Sequence, residues 1–541
     1  MRQVYKIKHP LVWIVCLFLL LPATVHAQSG SDYRVYLPLI DRGLAAPVLK
    51  WAYGGCYSSW CETGWYSSPA VINLDGDSQA EIIASAYTLW ALDGETGQLQ
   101  WRVDPPGVRT WPSIVLADLD QDAHLEILVA QGGGWVSAYS LSGSLKWQRQ
   151  PTSSELRGLL VADLDGNNSA LEVVVTAAIR SPTSTWVLES NGDTRVGWPQ
   201  IASEQSRYAW GIFNNNASAA NLSGDSRLEL IIPTDTHYIL GLLPNGSSLM
   251  ASSTAHPHHP VKAWGRIGVW EDLGVEVRSR GECTEGEPRR ENYRPNFADS
   301  PASIADVNQD GTLEIVVVGN VYDCSKDTYL SRYYGPFIFN ADRTRFTSPP
   351  FNWATTPIDT GAPLSQNYNV IENALPNPVL TDLDGDGLKE ILFASYDGRM
   401  HAYWLDKNVR GNWPYSVYDP AEGFYRFASE PAIADLDQDG RAEVIFTSWT
   451  QKGSNKSGKL HILSAYGIPL HEIDLPPGRN GNWNGGLAAP TLANVDNDPD
   501  LEIVINSVAS GVVVYDLPGT ANARVLWATG RGNVRRTGAE N

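Results

Sequence analysis

The chain is poor in cysteine, methionine and basic side chains, and it has no long helical period. It holds only 5 cysteines and 3 methionines in 541 residues. No Cys-x-x-Cys pair and no suitably spaced histidine is present, which argues against a zinc site. Lysine and arginine total 40 against 60 aspartate and glutamate, a formal charge of −20. Without a basic stripe to offset that field, a nucleic-acid partner is excluded. Beyond Leu21 no apolar run is long enough to span a bilayer, so the mature chain is expected to have no transmembrane segment. Apolar residues nowhere recur at a 3.6-residue period over a long stretch, which excludes a helical bundle. A hydrolase elbow, a zinc-protease helix and a phosphate loop are also missing.

At the N-terminus, Arg2, Lys6 and Lys8 precede the apolar stretch Leu11 to Leu21, and Val25-His26-Ala27 reads as a cleavage site. This predicts an export signal over residues 1–27 and a linker over 28–47, with a retained N-terminal anchor as the alternative. Cys16 falls inside that signal. Cys56, Cys61, Cys283 and Cys324 remain, an even number that suits disulfides outside the cell. Pairing Cys56 with Cys61 would close a tight loop and Cys283 with Cys324 would pin an insertion; the other two pairings stay open.

What the chain has in abundance is one acidic pattern, Asp/Asn-x-Asp-x-Asp-x-x-x-Glu, followed at once by an aliphatic run. Eight copies contain 27 of the 60 acidic residues. Three carry a glycine at the sixth position: Asp306/Asn308/Asp310/Glu314 with Gly311, Asp382/Asp384/Asp386/Glu390 with Gly387, and Asp435/Asp437/Asp439/Glu443 with Gly440. Asp118/Asp120/Asp122/Glu126 keeps four carboxylates without the glycine. Asn73/Asp75/Asp77/Glu81 and Asn494/Asp496/Asp498/Glu502 begin with an amide that can still ligate. Two copies are weaker: Asp163/Asp165/Asn167 has an extra residue before Glu172, and Asn221/Ser223/Asp225/Glu229 has lost charge at two positions. Hard oxygen ligands at the first, third and fifth positions of a tight loop can point inward together and suit several Ca²⁺ ions, and glycine permits the sharp turn. The bland alternative is that the same side chains only form Asx-turns.

A repeat of this length sets the architecture. A short strand precedes each acidic loop, a buried strand follows it, and two more strands end in an aromatic, as in Leu99-Gln100-Trp101. The fold class is all-β: a β-propeller of four-stranded blades over residues 48–541, with eight blades expected and seven the alternative. Both Leu49-Lys50-Trp51 and Val525-Leu526-Trp527 resemble a blade's last strand, so one of them is in excess. Insertions at about 250–300 and 321–375 outgrow the minimal blade, and such loops often carry binding.

On these loops the chain resembles the FG-GAP/VCBS repeat family, whose members include the integrin α-subunit head. That resemblance implies calcium in the loops of a β-propeller. Eight metal loops behind an export signal, with no independent catalytic constellation, point to a non-catalytic module that recognises an extracellular protein or carbohydrate ligand. Trp90 to Trp101 is also similar to the repeat of quinoprotein-type propellers, over the strand–turn–strand unit alone. Some rhamnogalacturonan lyases resemble the chain in being calcium-bearing propellers, which makes a secreted polysaccharide lyase or hydrolase the alternative reading. Outside the repeats, His256, His258 and His259 could bind a transition metal or act as a base, with exposed loop residues the favoured reading. Trp210, Trp264 and Trp270, off the blade pattern, are the better ligand candidates among the tryptophans, with core packing the favoured reading.

Overall fold

Each aliphatic run behind an acidic loop forms the second strand of a small antiparallel sheet, and eight such sheets close into a ring. The computed structural model describes residues 43–56, 61–62, 66–178, 183–199, 212, 215–269, 293–323, 332–357, 363–365, 367, 369–370, 377–478 and 481–540. The expected signal and most of the linker therefore lie outside the described residues, as do Trp210, Trp270, Cys283 and Cys324. In blade 1 the strands run Ala70–Ile72, Glu81–Ser85, Leu89–Asp93 and Leu99–Val103 from the axis outward. Blades 3 and 4 have three regular strands rather than the expected four. Among the described residues no helix is long and apolar enough to cross a membrane.

The buried strands read as unbroken apolar runs because both faces of every sheet are covered. In blade 3, Val173 and Val175 pack toward blade 2 while Val174 packs toward blade 4. Eight hydrophobic clusters fill the eight seams in this way. Burial on both sides removes the polar alternation that a half-exposed strand would show.

Tryptophans at the outer side of the blades bolt the seams. Their indole N–H groups donate to a carbonyl in the next blade: Trp51 to Gly94 (2.9 Å), Trp147 to Ser190 (2.8 Å), Trp198 to Pro244 (2.9 Å), Trp264 to Ala341 (3.0 Å), Trp353 to Leu405 (2.9 Å) and Trp413 to Ala465 (2.9 Å). Trp264, off this pattern in sequence, is a fully buried member of it, in keeping with core packing rather than ligand contact. The insertion had hidden its spacing. At the seam between blades 8 and 1 the ring of Trp51 lies on Gly97, where φ is +70° and an added Cβ would approach to 2.6 Å. Gly97→Ala combines backbone strain with overpacking and is expected to cost about 1–3 kcal/mol in urea unfolding.

The two surplus strands have different fates. Val48–Tyr53 pairs with Gly511–Leu517 and is the outer strand of blade 8, so chain start and chain end close the ring together and the count is eight, not seven. Arg524–Trp527 instead pairs with Ala432–Asp435, the axial strand of blade 7. From there the chain runs around the axis and bonds one inner strand after another. Leu492 N–H donates to Ala528 O, Leu116 to Val534, Val161 to Arg535, Ala219 to Thr537 and Ile304 to Gly538. Arg536 is fully buried and donates to Ile114 O (2.9 Å), Gly530 O (2.9 Å), Pro69 O (3.1 Å) and Thr529 Oγ1 (2.7 Å). The C-terminal segment thus plugs the axis.

Candidate metal centre

Each acidic loop joins the first and second strands of its blade, so all eight lie on one face of the ring. The connections that leave an outer strand for the next inner strand depart from the opposite face. The loops are tied to one another. The N–H just before the repeat glutamate donates to the second-position carbonyl of the preceding loop: Leu171 to Leu119 (2.8 Å), Leu228 to Leu164 (3.0 Å), Lys389 to Val307 (3.0 Å) and Ala442 to Leu383 (2.9 Å).

Inside every loop the glutamate is buried, and one of its oxygens accepts the second-position N–H. The pairs are Leu74–Glu81, Leu119–Glu126, Leu164–Glu172, Leu222–Glu229, Val307–Glu314, Leu383–Glu390, Leu436–Glu443 and Val495–Glu502, at 2.6 to 3.1 Å. Sequence reasoning treated this glutamate as a ligand; it is also the clasp that folds the loop. The aspartates make Asx-turns as well, as where Gly387 N–H meets Asp382 (2.9 Å) and Leu388 N–H meets Asp386 (2.9 Å). The left-handed backbone expected at the sixth position is present, with φ of +85° at Gly311, +91° at Gly387 and +89° at Gly440.

The fifth position lies at the solvent rim of its loop. Asn167, Asp439 and Asp498 are exposed, and so are their counterparts Asp77, Asp122, Asp310 and Asp386. Each turns one oxygen back onto the N–H two residues on. Asn167 accepts from Ser169 (2.7 Å), Asp439 from Arg441 (2.8 Å) and Asp498 from Asp500 (2.8 Å). Asp439 accordingly stands apart from the group that Asp435, Asp437 and Glu443 form in its loop. The cap uses one oxygen of each side chain and leaves the other free, and Asp77 and Asp122, which cap in the same way, still bring an oxygen within 4.8 Å of the inner carboxylates of their loops.

Turn formation does not use up the inner oxygens. Carboxylate oxygens come within 4.8 Å of one another in the sets Asp75/Asp77/Glu81, Asp118/Asp120/Asp122, Asp163/Asp165/Glu172, Asp382/Asp384/Glu390 and Asp435/Asp437/Glu443. Glu390 Oε1, Asp384 Oδ1, Asp435 Oδ1 and Asn308 Oδ1 are buried with no hydrogen-bond partner among the described residues. Burial raises the carboxyls of Glu390 to about 9 and Glu443 to about 8, and neighbouring aspartates add to it against the lowering by the backbone N–H. Burial likewise lifts Glu172, Glu314 and Glu502 to about 7. Orphaned oxygens crowded with like charge fit a hard divalent cation, which would supply both the missing partner and the missing charge.

Not every loop is left so negative. Lys50 reaches Asp496 and stands 3.6 Å from Glu502; Lys146 reaches Glu126 and lies 3.5 Å from Asp120. Arg195 donates to Asp165 (2.6 Å) and Glu172 (2.8 Å). Sequence reading missed these cations, although two of them stand immediately before a seam tryptophan. In the weak fourth copy Ser223 Oγ donates to Glu229 (2.9 Å), and Arg227 pairs with Asp225 at the surface.

Away from the loops, His258 is exposed, while His259 sits in a turn with Nδ1 2.7 Å from Val261 O. Cys56 and Cys61 face each other in register across a two-stranded ladder, their side chains lying outside the described residues. Ser448, His461 and Glu472 form a triad-like line, with Ser448 Oγ 3.0 Å from His461 Nε2 and His461 Nδ1 3.8 Å from Glu472. Ser448 is 0% and His461 2% exposed, so no substrate reaches them; the line sits within the packed sheet of blade 7. At the axial mouth opposite the acidic loops, Tyr66 stacks on Trp111 and Arg157 lies 3.6 Å above the Trp111 ring, beside Asn377 and Glu430. The hollow there encloses about 510 Å³ with its open mouth, of which about 40 Å³ is roomy enough for water.

Residues 382–446, from the blade 6 loop into blade 7, match the family described as FG-GAP-like repeat. No curated protein matches the chain in sequence. Among solved structures it is similar to the computationally designed Ika8 protein, at 10% identity over 87% of this chain and 99% of that one, TM-score 0.46. It is also similar to the V. cholerae biofilm matrix protein Bap1, at 14% identity over 91% and 96%, TM-score 0.37. BamB from Moraxella catarrhalis aligns at 13% identity over 84% and 98%, TM-score 0.40.

Proposed function

From the premise that this chain is an FG-GAP-like repeat β-propeller, we propose that it is an exported, calcium-stabilised recognition module without catalytic activity. The observation that carries the calcium part is the set of buried carboxylate and amide oxygens left without partners in the Asp306, Asp382 and Asp435 loops. Asp382, Asp384, Asp386 and Glu390 would hold one ion, with the corresponding residues of neighbouring blades holding others. The ion would neutralise the loop and tie the first strand to the second. It supplies structure, not chemistry.

Recognition is assigned to the opposite face. The connections between blades leave from there, free of the constraint that the acidic loops meet, and the aromatic and charged residues of the axial mouth lie on that face. An extracellular protein or carbohydrate is the partner class this face suits. The absence of a free catalytic constellation among the described residues supports the non-catalytic reading, since the paired carboxylates are engaged in the loops and the triad-like line is buried.

Two measurements test this. Elemental analysis after equilibration with calcium, then with chelator, is expected to find calcium in the first sample and none in the second; no calcium in either overturns the metal assignment. Incubation with a panel of acidic polysaccharides is expected to release no fragments, and chain cleavage that survives repurification would replace this reading with a lyase or hydrolase.

A further inference from the structure

Resting on the calcium reading above, we infer that the chain holds ions in only four of its eight loops, because three others carry a built-in cation delivered by the outer strand. The device is a β-bulge. In blade 8 the pairing register skips between Leu49 and Trp51, leaving Lys50 as the extra residue. In blade 2 it skips between Leu145 and Trp147, leaving Lys146, and in blade 1 between Leu99 and Trp101, leaving Gln100. A bulge re-aims its extra side chain. Here all three turn onto the loop glutamate of their own blade. Lys50 meets Asp496 and Glu502, Lys146 meets Asp120 and Glu126, and Gln100 Nε2 donates to Glu81 at 3.0 Å. One backbone position therefore presents an ammonium twice and a neutral amide once.

Blade 3 reaches the same end by another route. Arg195 follows the bridge between Leu188 and Thr194 and spans Asp165 and Glu172. In these three loops a cation already fills the place where an ion would meet the glutamate and the third-position aspartate, so a divalent ion would have to displace it or sit against like charge.

The remaining loops differ. At Asn73 the bulge residue is neutral. At Asp306 no cation among the described residues pairs with Glu314, and Thr312 and Ser348 hydroxyls serve the loop instead. In blade 6 Arg410 takes only one oxygen of Asp384 (2.9 Å), leaving Asp384 Oδ1 and Glu390 Oε1 orphaned. In blade 7 the bulge residue is Leu470, Arg524 stays 3.9 Å from Asp435, and no cation among the described residues pairs with Glu443. The loop at Asn221 has a serine in place of the third-position acid. Ions are thus assigned to the loops at Asn73, Asp306, Asp382 and Asp435. The sequence expectation that the Asp118 and Asn494 loops are well-formed sites is revised: their carboxylates are present, but their charge is met from within.

The test is calcium stoichiometry of the full chain, gel-filtered from calcium buffer. The wild type is expected to hold four ions. Lys50→Gln and Lys146→Gln, which copy blade 1, should each add one, and Gln100→Lys, which copies blade 2, should remove one. Circular dichroism of each variant confirms the fold, and Gln100 and Lys146 are accessible enough to exchange without repacking. Five or more ions in the wild type, or counts unmoved by all three exchanges, would overturn this inference alone. A wild type without calcium would instead sink the calcium reading beneath it.

Discussion

Deleting residues 524–541 is expected to leave no cooperatively folded ring, although the deleted segment follows the last complete blade. Five inner-strand N–H groups, of Leu116, Val161, Ala219, Ile304 and Leu492, bond to this segment, and so does the axial strand of blade 7. Leaving a buried donor unmet costs about 1–3 kcal/mol, so five of them alone approach the ~5–15 kcal/mol that typically holds a domain together. Calorimetry and soluble yield read the result; a deletion that still melts cooperatively within a few degrees of wild type would refute the plug. A graded version uses adjacent arginines. Arg536 is fully buried with its guanidinium spent on five oxygens, the farthest Ser68 O at 3.5 Å, and Arg535 is exposed. Arg536→Met should cost roughly 3–5 kcal/mol, which for a ring of this size is a fall of about 3–5 °C in Tm, while Arg535→Met should change it by less than about 1 °C.

That plug marks the boundary of what the sequence makes legible. The acidic period, repeated eight times, carried the fold because each copy is a local turn whose ligand-like spacing and following apolar run need no partner to be recognised. Leu49-Lys50-Trp51 and Val525-Leu526-Trp527 are locally alike, and only ring closure separates an outer strand from an axial one. Trp264 looks off the blade pattern in sequence for a similar reason: its seam bond is to Ala341 in the next blade, 77 residues away, so its neighbours in sequence suggest core packing without showing which seam it closes. The loops themselves were legible as oxygen-rich turns, whereas the direction of each oxygen and the charge balance were not. Asp439 has the same spacing from Asp437 as Asp437 has from Asp435, yet it faces solvent and caps Arg441 N–H. Whether Lys146 meets Glu126 depends on a bulge, and a bulge is a property of pairing register that no single strand announces.

Calcium is expected to raise the melting temperature by about 10 °C over chelator, and Glu390→Gln is expected to change sign between the two conditions. At a free concentration of 100 times Kd each ion adds about 2.7 kcal/mol of stability by linkage, so four ions supply on the order of 11 kcal/mol. With an unfolding entropy of ~1 kcal/mol/K for about 500 residues, that is a shift near 10 °C. The ties between loops spread the effect, because Lys389 and Ala442 bind the loops of blades 5, 6 and 7 into one hydrogen-bonded arc. Glu390 isolates the cause. Its side chain is 0% exposed, one oxygen accepts Leu383 N–H and the other has no partner, while three aspartates crowd it. Glutamine keeps the acceptor for Leu383 and turns an amide N–H toward those aspartates. Without the ion, burial raises the Glu390 carboxyl to about 9 and holds it protonated at neutral pH, so in chelator the exchange removes only the cost of that protonation and should raise Tm by about 1 °C or leave it unchanged. In calcium the same exchange deletes a charged ligand and should lower Tm by about 3 °C. A merely structural glutamate, serving only as the loop's clasp, would respond equally in both buffers. Equal shifts with and without calcium would therefore reduce the acidic loops to turns.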